Sequence, residues 1–402
     1  MTDSVPLSRY TVHVLPLLPE RLHPTTGHPD MDRLLLWDEA FDALTGRTSA
    51  LPMLIFSHAW RDLGTYLSLR PGRMDQVAEL ITRGRAWFGP WYVLPGAETS
   101  CEAAVQSLLR GRRSARPFDV AYRTGMVLHP RLFPILPALF QGFGMDFSFW
   151  IVDLPGQRPE VEPAIGHLLV GINGLRLPVV NVPVVGRHFD VKAWRDSIAS
   201  PVKHLALGIR GRPAEILAQF QALGEALPHD DIFLTGPDSL VNITREGLDE
   251  GERLSHVSLN FDESIGSAEV AYARMIGDNE QPPLPWRALQ HEMGDPRWRQ
   301  AIETVLQANR IDMVSTVKAE PETFMFQAIK PREDARPGII VRGVDTGKMR
   351  REIVLKPWRR FSACEVVRLD EQPTGGTLAI GADGAIRFMA SPYQLVTLWL
   401  HD

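Results

Sequence analysis

Through the first half of the chain, short apolar runs alternate with longer segments of helical periodicity, and this alternation limits the available folds more than any other feature. Parallel strands need a long crossover between them, so strand-length runs separated by helix-length patterns point to a parallel sheet with helices on its faces. Tyr10-Thr-Val-His-Val-Leu reads as a first strand. Residues 31–44 carry apolar side chains at 34–37, 41 and 44 between Arg33 and several acids, which suits a helix covering that strand. Met53-Leu-Ile-Phe reads as a second strand and 73–83 as a second helix ending before Gly84. Trp91-Tyr-Val-Leu follows as a third strand, 101–111 as a helix, 121–128 as a strand and 131–142 as a helix stopped by glycine.

Beyond Phe149 the pattern loosens. Leu168-Leu-Val and Leu177-Pro-Val-Val pair as a hairpin across Asn173-Gly174, a favoured tight-turn dipeptide. Leu205-Ala-Leu-Gly, a helix over 213–227 and Asp231-Ile-Phe-Leu read as a last βαβ unit. From 267 to 311 the reading is helical, broken at Gln281-Pro-Pro-Leu-Pro and strongest from Trp298 through Ile302, Val305 and Leu306. The period then switches to that of strands at Gly338-Ile-Ile-Val-Arg, Glu352-Ile-Val-Leu, Glu365-Val-Val-Arg-Leu, Ala385-Ile-Arg-Phe and Gln394-Leu-Val-Thr-Leu-Trp-Leu. The expected fold class is α/β: a seven-stranded β/α barrel-like domain over 1–250, a helical bundle segment over 251–320 and a β-sandwich over 321–402.

Composition narrows the function. A chain of 402 residues can bury sizeable cores in two or three domains. The 43 basic residues against 48 acidic, net charge -5, argue against a nucleic-acid partner. The start, Met-Thr-Asp-Ser-Val-Pro, lacks a basic region followed by an apolar run, and no apolar stretch approaches the roughly 18 residues that span a bilayer. No membrane partner and a cytoplasmic location are therefore expected. Cys101 and Cys364 stand alone, which supports neither a disulfide framework nor a thiolate metal site. Nothing in the sequence fixes an oligomeric state.

One region carries a more specific signal. Tyr-Leu-Ser-Leu-Arg-Pro at 66–71, Gly-Arg-Ala-Trp-Phe-Gly-Pro-Trp-Tyr-Val-Leu-Pro at 84–95, Gly-Arg-Arg at 111–113 and Leu-Pro-Ala-Leu-Phe-Gln-Gly-Phe-Gly-Met-Asp at 136–146 together resemble glycoside hydrolase family 38. Those enzymes are retaining α-mannosidases that use zinc and an aspartate nucleophile. The resemblance continues at Ala328-Ile-Lys-Pro-Arg-Glu-Asp, an entry into a β-sandwich, and at Pro392-Tyr-Gln-Leu-Val-Thr-Leu, a closing strand. It implies a divergent, shortened member lacking part of the usual β region.

The resemblance also implies where the chemistry should be. Retaining glycosidases need two carboxylates about 5–5.5 Å apart. The family adds a zinc ion bound by a His-x-Asp after the first strand, by the nucleophilic Asp and by a His from the helical region. In register with His13-Val-Leu-Pro16, the His-x-Asp pair falls on Pro19 and Arg21. The nucleophile position falls on Leu128, followed by His129-Pro130, and the last ligand on Ile311, before Asp312. The acidic pair after Trp-Tyr-Val-x-Pro becomes Gly96-Ala97. Proline, leucine and isoleucine have no donor atom, and a guanidinium is a cation without a free lone pair, so none of the four positions can ligate zinc. No catalytic residue is assigned and no cofactor is expected.

Other constellations have plainer readings beside functional ones. His13, His23, His28 and Asp30 could bind a metal, but their spacing fits no standard motif and exposed loop histidines are the simpler expectation. His129 is either a polar pocket contact at the carboxyl edge of the sheet or a capping residue. Trp91 and Tyr92 are either sugar-stacking rings or core, while Trp87 and Phe88 read as core. Arg110, Arg112 and Arg113 read as a solvated helix face. The pairs in His229-Asp230-Asp231 and Asp262-Glu263-Ser264 read as turn or capping acids rather than a catalytic pair, and no Gly-x-Ser-x-Gly surrounds a serine.

The leading expectation is a family-38-like protein without zinc or nucleophile, acting in carbohydrate recognition or metabolism. Arg21 in the place of a cation points to an anionic sugar derivative as ligand. The expected contacts are Arg21, Trp91, Tyr92, His129 and Asp312 around a cleft. The alternatives are an active α-mannosidase or related glycosidase with relocated catalytic residues, and a structural or assembly partner.

Overall fold

The computed structural model describes residues 10–18, 31–45, 51–56, 60–93, 101–127, 135–152, 166–170, 174–185, 191–196, 203–241, 317–321, 323–357 and 359–402. In chain order the first part contains β1 (Thr11–Leu18), α1 (Met31–Thr45), β2 (Leu54–Phe56), α2 (Trp60–Leu69), α3 (Met74–Thr82) and β3 (Ala86–Phe88). It continues with α4 (Cys101–Ala115), β4 (Thr124–Val127), α5 (Leu136–Gly142), β5 (Phe147–Val152), β6 (Gly166–Val170) and β7 (Arg176–Val185). The last elements of this part are α6 (Val191–Asp196), β8 (His204–Arg210), α7 (Pro213–Ala226) and β9 (Asp231–Leu234). The helical reading over 267–311 falls outside the described residues.

Seven strands form the sheet in the order β3-β2-β1-β8-β7-β5-β4, every neighbouring pair parallel. β6 joins β7 antiparallel with Leu169 opposite Leu177, the hairpin read from Asn173-Gly174. β9 lies beside the first half of β1, from Thr11 to Val14, while β2 occupies the same edge beside Leu17 and Leu18. The expected β8-α7-β9 unit is thus a crossover with β1 between its two strands.

Strand alternation separates two cores. Val12, Val14, Leu54, Phe56, Phe88, Leu205, Leu207 and Ile209 pack with buried residues of α1, α2, α3 and α7. Leu15, Leu17, Ile55, Met126, Phe149, Val182 and Ala206 face the other way. The sheet curls until its edge strands meet through side chains. Trp87 on β3 lies 5.6 Å from the ring of Phe149 on β5, and the Trp91 indole N–H donates to the Met126 carbonyl of β4 at 2.7 Å. One indole bond therefore stands where a backbone ladder would close a full barrel.

Three sequence expectations change here. The third strand is Ala86–Phe88 rather than Trp91–Leu94, because it is Leu54–Phe56 of β2 that pairs with Ala86–Phe88 and Gly89-Pro90 turns the chain out of the ladder. Residues 90–92 then cross α4 so closely that a Cβ at Gly111 would stand 2.1 Å from the Pro90 carbonyl oxygen, a contact only glycine permits. Second, α2 is a helix the sequence reading passed over. Its buried Trp60, Leu63, Tyr66 and Leu67 follow helical spacing, but Gly64 and the buried Asp62 interrupt the amphipathic pattern. His13 also differs from expectation. It sits inside β1, 7% exposed, with its Nε2 3.0 Å from Nδ1 of His204 on β8, rather than in a loop.

The C-terminal part is a β-sandwich. Its strands are β10 (Val317–Glu320), β11 (Phe324–Pro331), β12 (Ile339–Asp345), β13 (Arg351–Pro357), β14 (Ala363–Val367), β15 (Pro373–Thr377), β16 (Ile386–Ala390) and β17 (Leu395–His401). Sheets β10-β13-β16 and β11-β12-β17-β14-β15 enclose Ile353, Leu355 and Ile386 from one side and Val341, Cys364, Leu398 and Leu400 from the other. Burial pushes the Cys364 thiol up to about 12, so it stays protonated at neutral pH.

The opposite face of the five-stranded sheet meets α4. Arg342, fully buried, places Nη1 2.9 Å from both carboxylate oxygens of Glu102 and donates from Nη2 to the Leu369 carbonyl at 3.0 Å and from Nε to Thr397 Oγ1 at 3.2 Å. Leu369 enters the core of the α/β part against Gly142. Arg112 and Arg113, expected as a solvated face, pair with Asp370 and Glu333 of the sandwich. α4 is thus a two-sided helix, and Arg112 and Arg113 remain solvated while reaching across to the sandwich.

Candidate functional site

In a parallel α/β sheet, binding residues gather beyond the carboxyl ends of the strands. Here β1, β2, β4, β5 and β7 end at Leu18, Phe56, Val127, Val152 and Val185. The segments that follow these strands lie outside the described residues, and with them Pro19, Arg21, Leu128 and His129. Ile311 and Asp312, in 301–316, lie outside as well. Of the expected site residues, Trp91 and Tyr92 are placed.

At that edge the described residues contribute Arg210, the last residue of β8. It is in register with Leu17, so its Cβ points to the inner face that carries Leu15 and Leu17. Ile55 and Trp87 continue the same level across β2 and β3. The edge thus has an apolar ring of Leu17, Ile55 and Trp87 with one arginine beside it. Sequence reasoning missed Arg210, although the outward alternation of Leu205, Leu207 and Ile209 carried the signal.

Trp91 is not a ring offered to a ligand. It is fully buried, packed 5.8 Å from Phe140, and its only polar atom is spent on Met126. Tyr92 separates from it: alternate residues of an extended stretch point apart, and Tyr92 is half-buried against the outer core. It lines a groove of about 360 Å³ between α2 and the end of α4, together with Arg61, Gly64, Thr65, Ser68, Ser114 and Phe118. The loop that bears Tyr92 also anchors α2, since the N–H groups of Trp60 and Arg61 donate to the carbonyls of Trp91 and Tyr92 at 3.0 and 3.1 Å. Ser107 fixes the same loop from α4, accepting from the Val93 N–H at 3.0 Å and donating to its carbonyl at 2.6 Å.

Among the described residues no group of three or more His, Cys, Asp or Glu side chains is placed to hold a metal ion. No described helix is long and apolar enough to cross a membrane. The His13–His204 pair lies on the inner face at the amino-terminal half of β1, away from the carboxyl edge.

No protein-family model matches the chain, and no curated protein matches it. Solved structures do match over nearly its full length. A glycosyl hydrolase family 38 protein from Enterococcus faecalis aligns over 98% of this chain and 54% of its own at 12% identity, with a TM-score of 0.50. An alpha-mannosidase from Enterococcus faecalis V583 aligns over 98% of this chain and 55% of its own at 16% identity, also with a TM-score of 0.50. The chain spans about half the length of these structures. Barrel-like parallel sheet, α4 interface and C-terminal sandwich together make this a fold of the glycoside hydrolase family 38 type.

Proposed function

We propose that this chain is a carbohydrate-recognition protein that keeps a family-38-like fold without zinc-dependent hydrolysis. The observation that carries the proposal is the pairing of that fold with Pro19, Arg21, Leu128 and Ile311 at the four positions where the resemblance expects zinc ligands. A metal site requires deprotonated donors, and these side chains supply none. Leucine at 128 also removes the carboxylate that would form the glycosyl-enzyme bond.

The ligand class follows from charge. Arg21, at a position expected to hold a metal ligand, and Arg210, on the inner face at the carboxyl edge, favour a sugar bearing a carboxylate or phosphate. His129 and Asp312 complete the proposed contacts as polar partners for sugar hydroxyls.

Two outcomes are expected. Purified protein dialysed against buffer should contain zinc well below one ion per chain, and chelator should leave its melting temperature unchanged. One tightly held zinc per chain would restore the metalloenzyme. Aryl α-mannosides should not be hydrolysed above background with zinc, cobalt or manganese added. A turnover that survives repurification and vanishes on changing a single acid would establish relocated catalysis instead. A thermal-shift screen with sugar phosphates and sugar acids on wild type and Arg21→Ala then identifies the ligand. No stabilisation of either protein, with Arg21→Ala destabilised, would mark a closed structural site and favour a role in assembly.

A further inference from the structure

We propose that His13 and His204 form a proton-sensitive clasp between β1 and β8 that holds the amino-terminal floor of the barrel shut and releases it on acidification. The floor is the segment from β9 to Val241, and it hangs on the lower half of β1. The Asp231 N–H donates to the Tyr10 carbonyl at 2.9 Å, Asp231–Leu234 pair with Thr11–Val14, and the Thr235 N–H donates to the Val14 carbonyl at 2.9 Å. The short 3-10 helix Pro237–Leu240 then turns under the barrel, where Asp238 accepts from the Thr124 hydroxyl of β4 at 2.8 Å and the buried Leu240 joins the inner core. Whatever loosens the lower half of β1 therefore loosens the floor.

The two imidazoles stand on the inner face of that half. His13 is in register with Ala206 and His204 with Thr11, so the rings meet diagonally across the two strands, Nε2 to Nδ1 at 3.0 Å. A hydrogen bond between imidazoles uses one N–H and one lone pair, so the pair keeps it when neutral or with one added proton. A second added proton puts an N–H on both facing nitrogens. The bond is then lost and two like charges face each other between the strands. The unfolded chain takes both protons independently. The clasp's contribution is thus full above the unfolded histidine pKa of about 6.5 and falls away as the pH drops below it. Protons have a route in, since His204 is half-buried and Phe233, in register with His13 on β9, is 52% exposed.

The neighbouring charges do not cancel the second proton. Among the described residues, β7 and β5 turn the uncharged Val180, Val182, Phe147 and Phe149 to this inner core. Asp231 on β9 is level with His204 but with Thr11 between them, two strand spacings or roughly 10 Å away, where water and salt screen it. Asp230 is bound to Arg195 and to the Tyr10 N–H, and Asp238 to Thr124. Lys203, exposed just before β8, adds only a further cation.

The experiment is hydrogen exchange of the full chain at about pH 7.5, 6.5 and 5.5, read by mass spectrometry as protection corrected for intrinsic exchange, with sandwich peptides over 339–345 and 395–401 as internal reference. Protection over 11–14, 204–207 and 231–241 should fall about tenfold or more from the highest pH to the lowest, and that of the reference peptides by less than about threefold. In His204→Gln, whose amide can bond to His13 but takes no proton, the three segments should change by less than about threefold, and His13→Gln should repeat this from the buried side. In Asp231→Asn and Asp238→Asn the wild-type fall should persist. Unchanged protection of the floor in wild type, an equal fall in the sandwich, or the full fall surviving in His204→Gln would overturn the clasp. Loss of the pH dependence in either asparagine variant would overturn it too, by assigning the effect to a carboxylate. No sugar or metal is added, so failure here is distinct from failure of the barrel-edge reading.

Discussion

Arg342→Ala should destabilise the protein by about 3–5 kcal/mol, measured as a fall in the urea midpoint of the full chain. The guanidinium is fully buried between the β-sandwich and α4 and satisfies Glu102, Thr397 and the Leu369 carbonyl together. Alanine removes all these donors and leaves a carboxylate whose side chain is only 16% exposed without its partner. The cost belongs to that stranded charge rather than to the attraction itself. The double variant Glu102→Leu with Arg342→Met, which removes both charges and keeps the volume, should therefore recover most of the loss. Gln106 sharpens the test, since its amide donates to Glu102 Oε1 at 2.6 Å and cannot replace a cation. A loss below about 1 kcal/mol for Arg342→Ala would place the pair among weak surface bridges and show that Leu369 packing alone holds the two parts together.

How far the sequence reveals this arrangement depends on the kind of contact. β1 and β8 were legible as short, nearly continuous apolar runs buried on both faces, and α1 and α3 because their burial follows the helical period, neither of which needs knowledge of the partner. The hairpin of β6 and β7 was legible for a similar reason: Asn173-Gly174 is a local signal. Where two apolar runs flank a turn, the period no longer decides. Trp91-Tyr-Val read as the strand and Ala86-Trp-Phe did not, and only pairing with β2 selects the latter. The interface role of Arg112 and Arg113 was illegible from α4, because Asp370 and Glu333 lie more than two hundred residues away. His13 and His204, 191 residues apart, meet for the same kind of reason. At the site, the resemblance implies a register at Arg21, Leu128 and Ile311 that falls outside the described residues, whereas Arg210 is placed, on the face of β8 that turns inward.

Trp91 separates core from site most directly. Trp91→Ala should cost about 3–5 kcal/mol, as for a large fully buried ring whose cavity collapses only in part. Trp91→Phe keeps most of the apolar volume beside Phe140 but removes the indole N–H, and the Met126 carbonyl loses its side-chain donor in the seam. An unsatisfied buried acceptor costs about 1–3 kcal/mol, so Trp91→Phe should fall between wild type and alanine. The loss should be reproduced by chemical denaturation and should be independent of any added sugar. Tyr92→Ala gives the contrast. Half-buried against the outer core, it should lower melting temperature less than Trp91→Ala. If Trp91→Phe instead leaves stability intact and abolishes ligand binding, the indole N–H serves a ligand rather than the seam. The barrel would then have to be closed by the packing of Trp87 on Phe149 without a hydrogen bond across the gap.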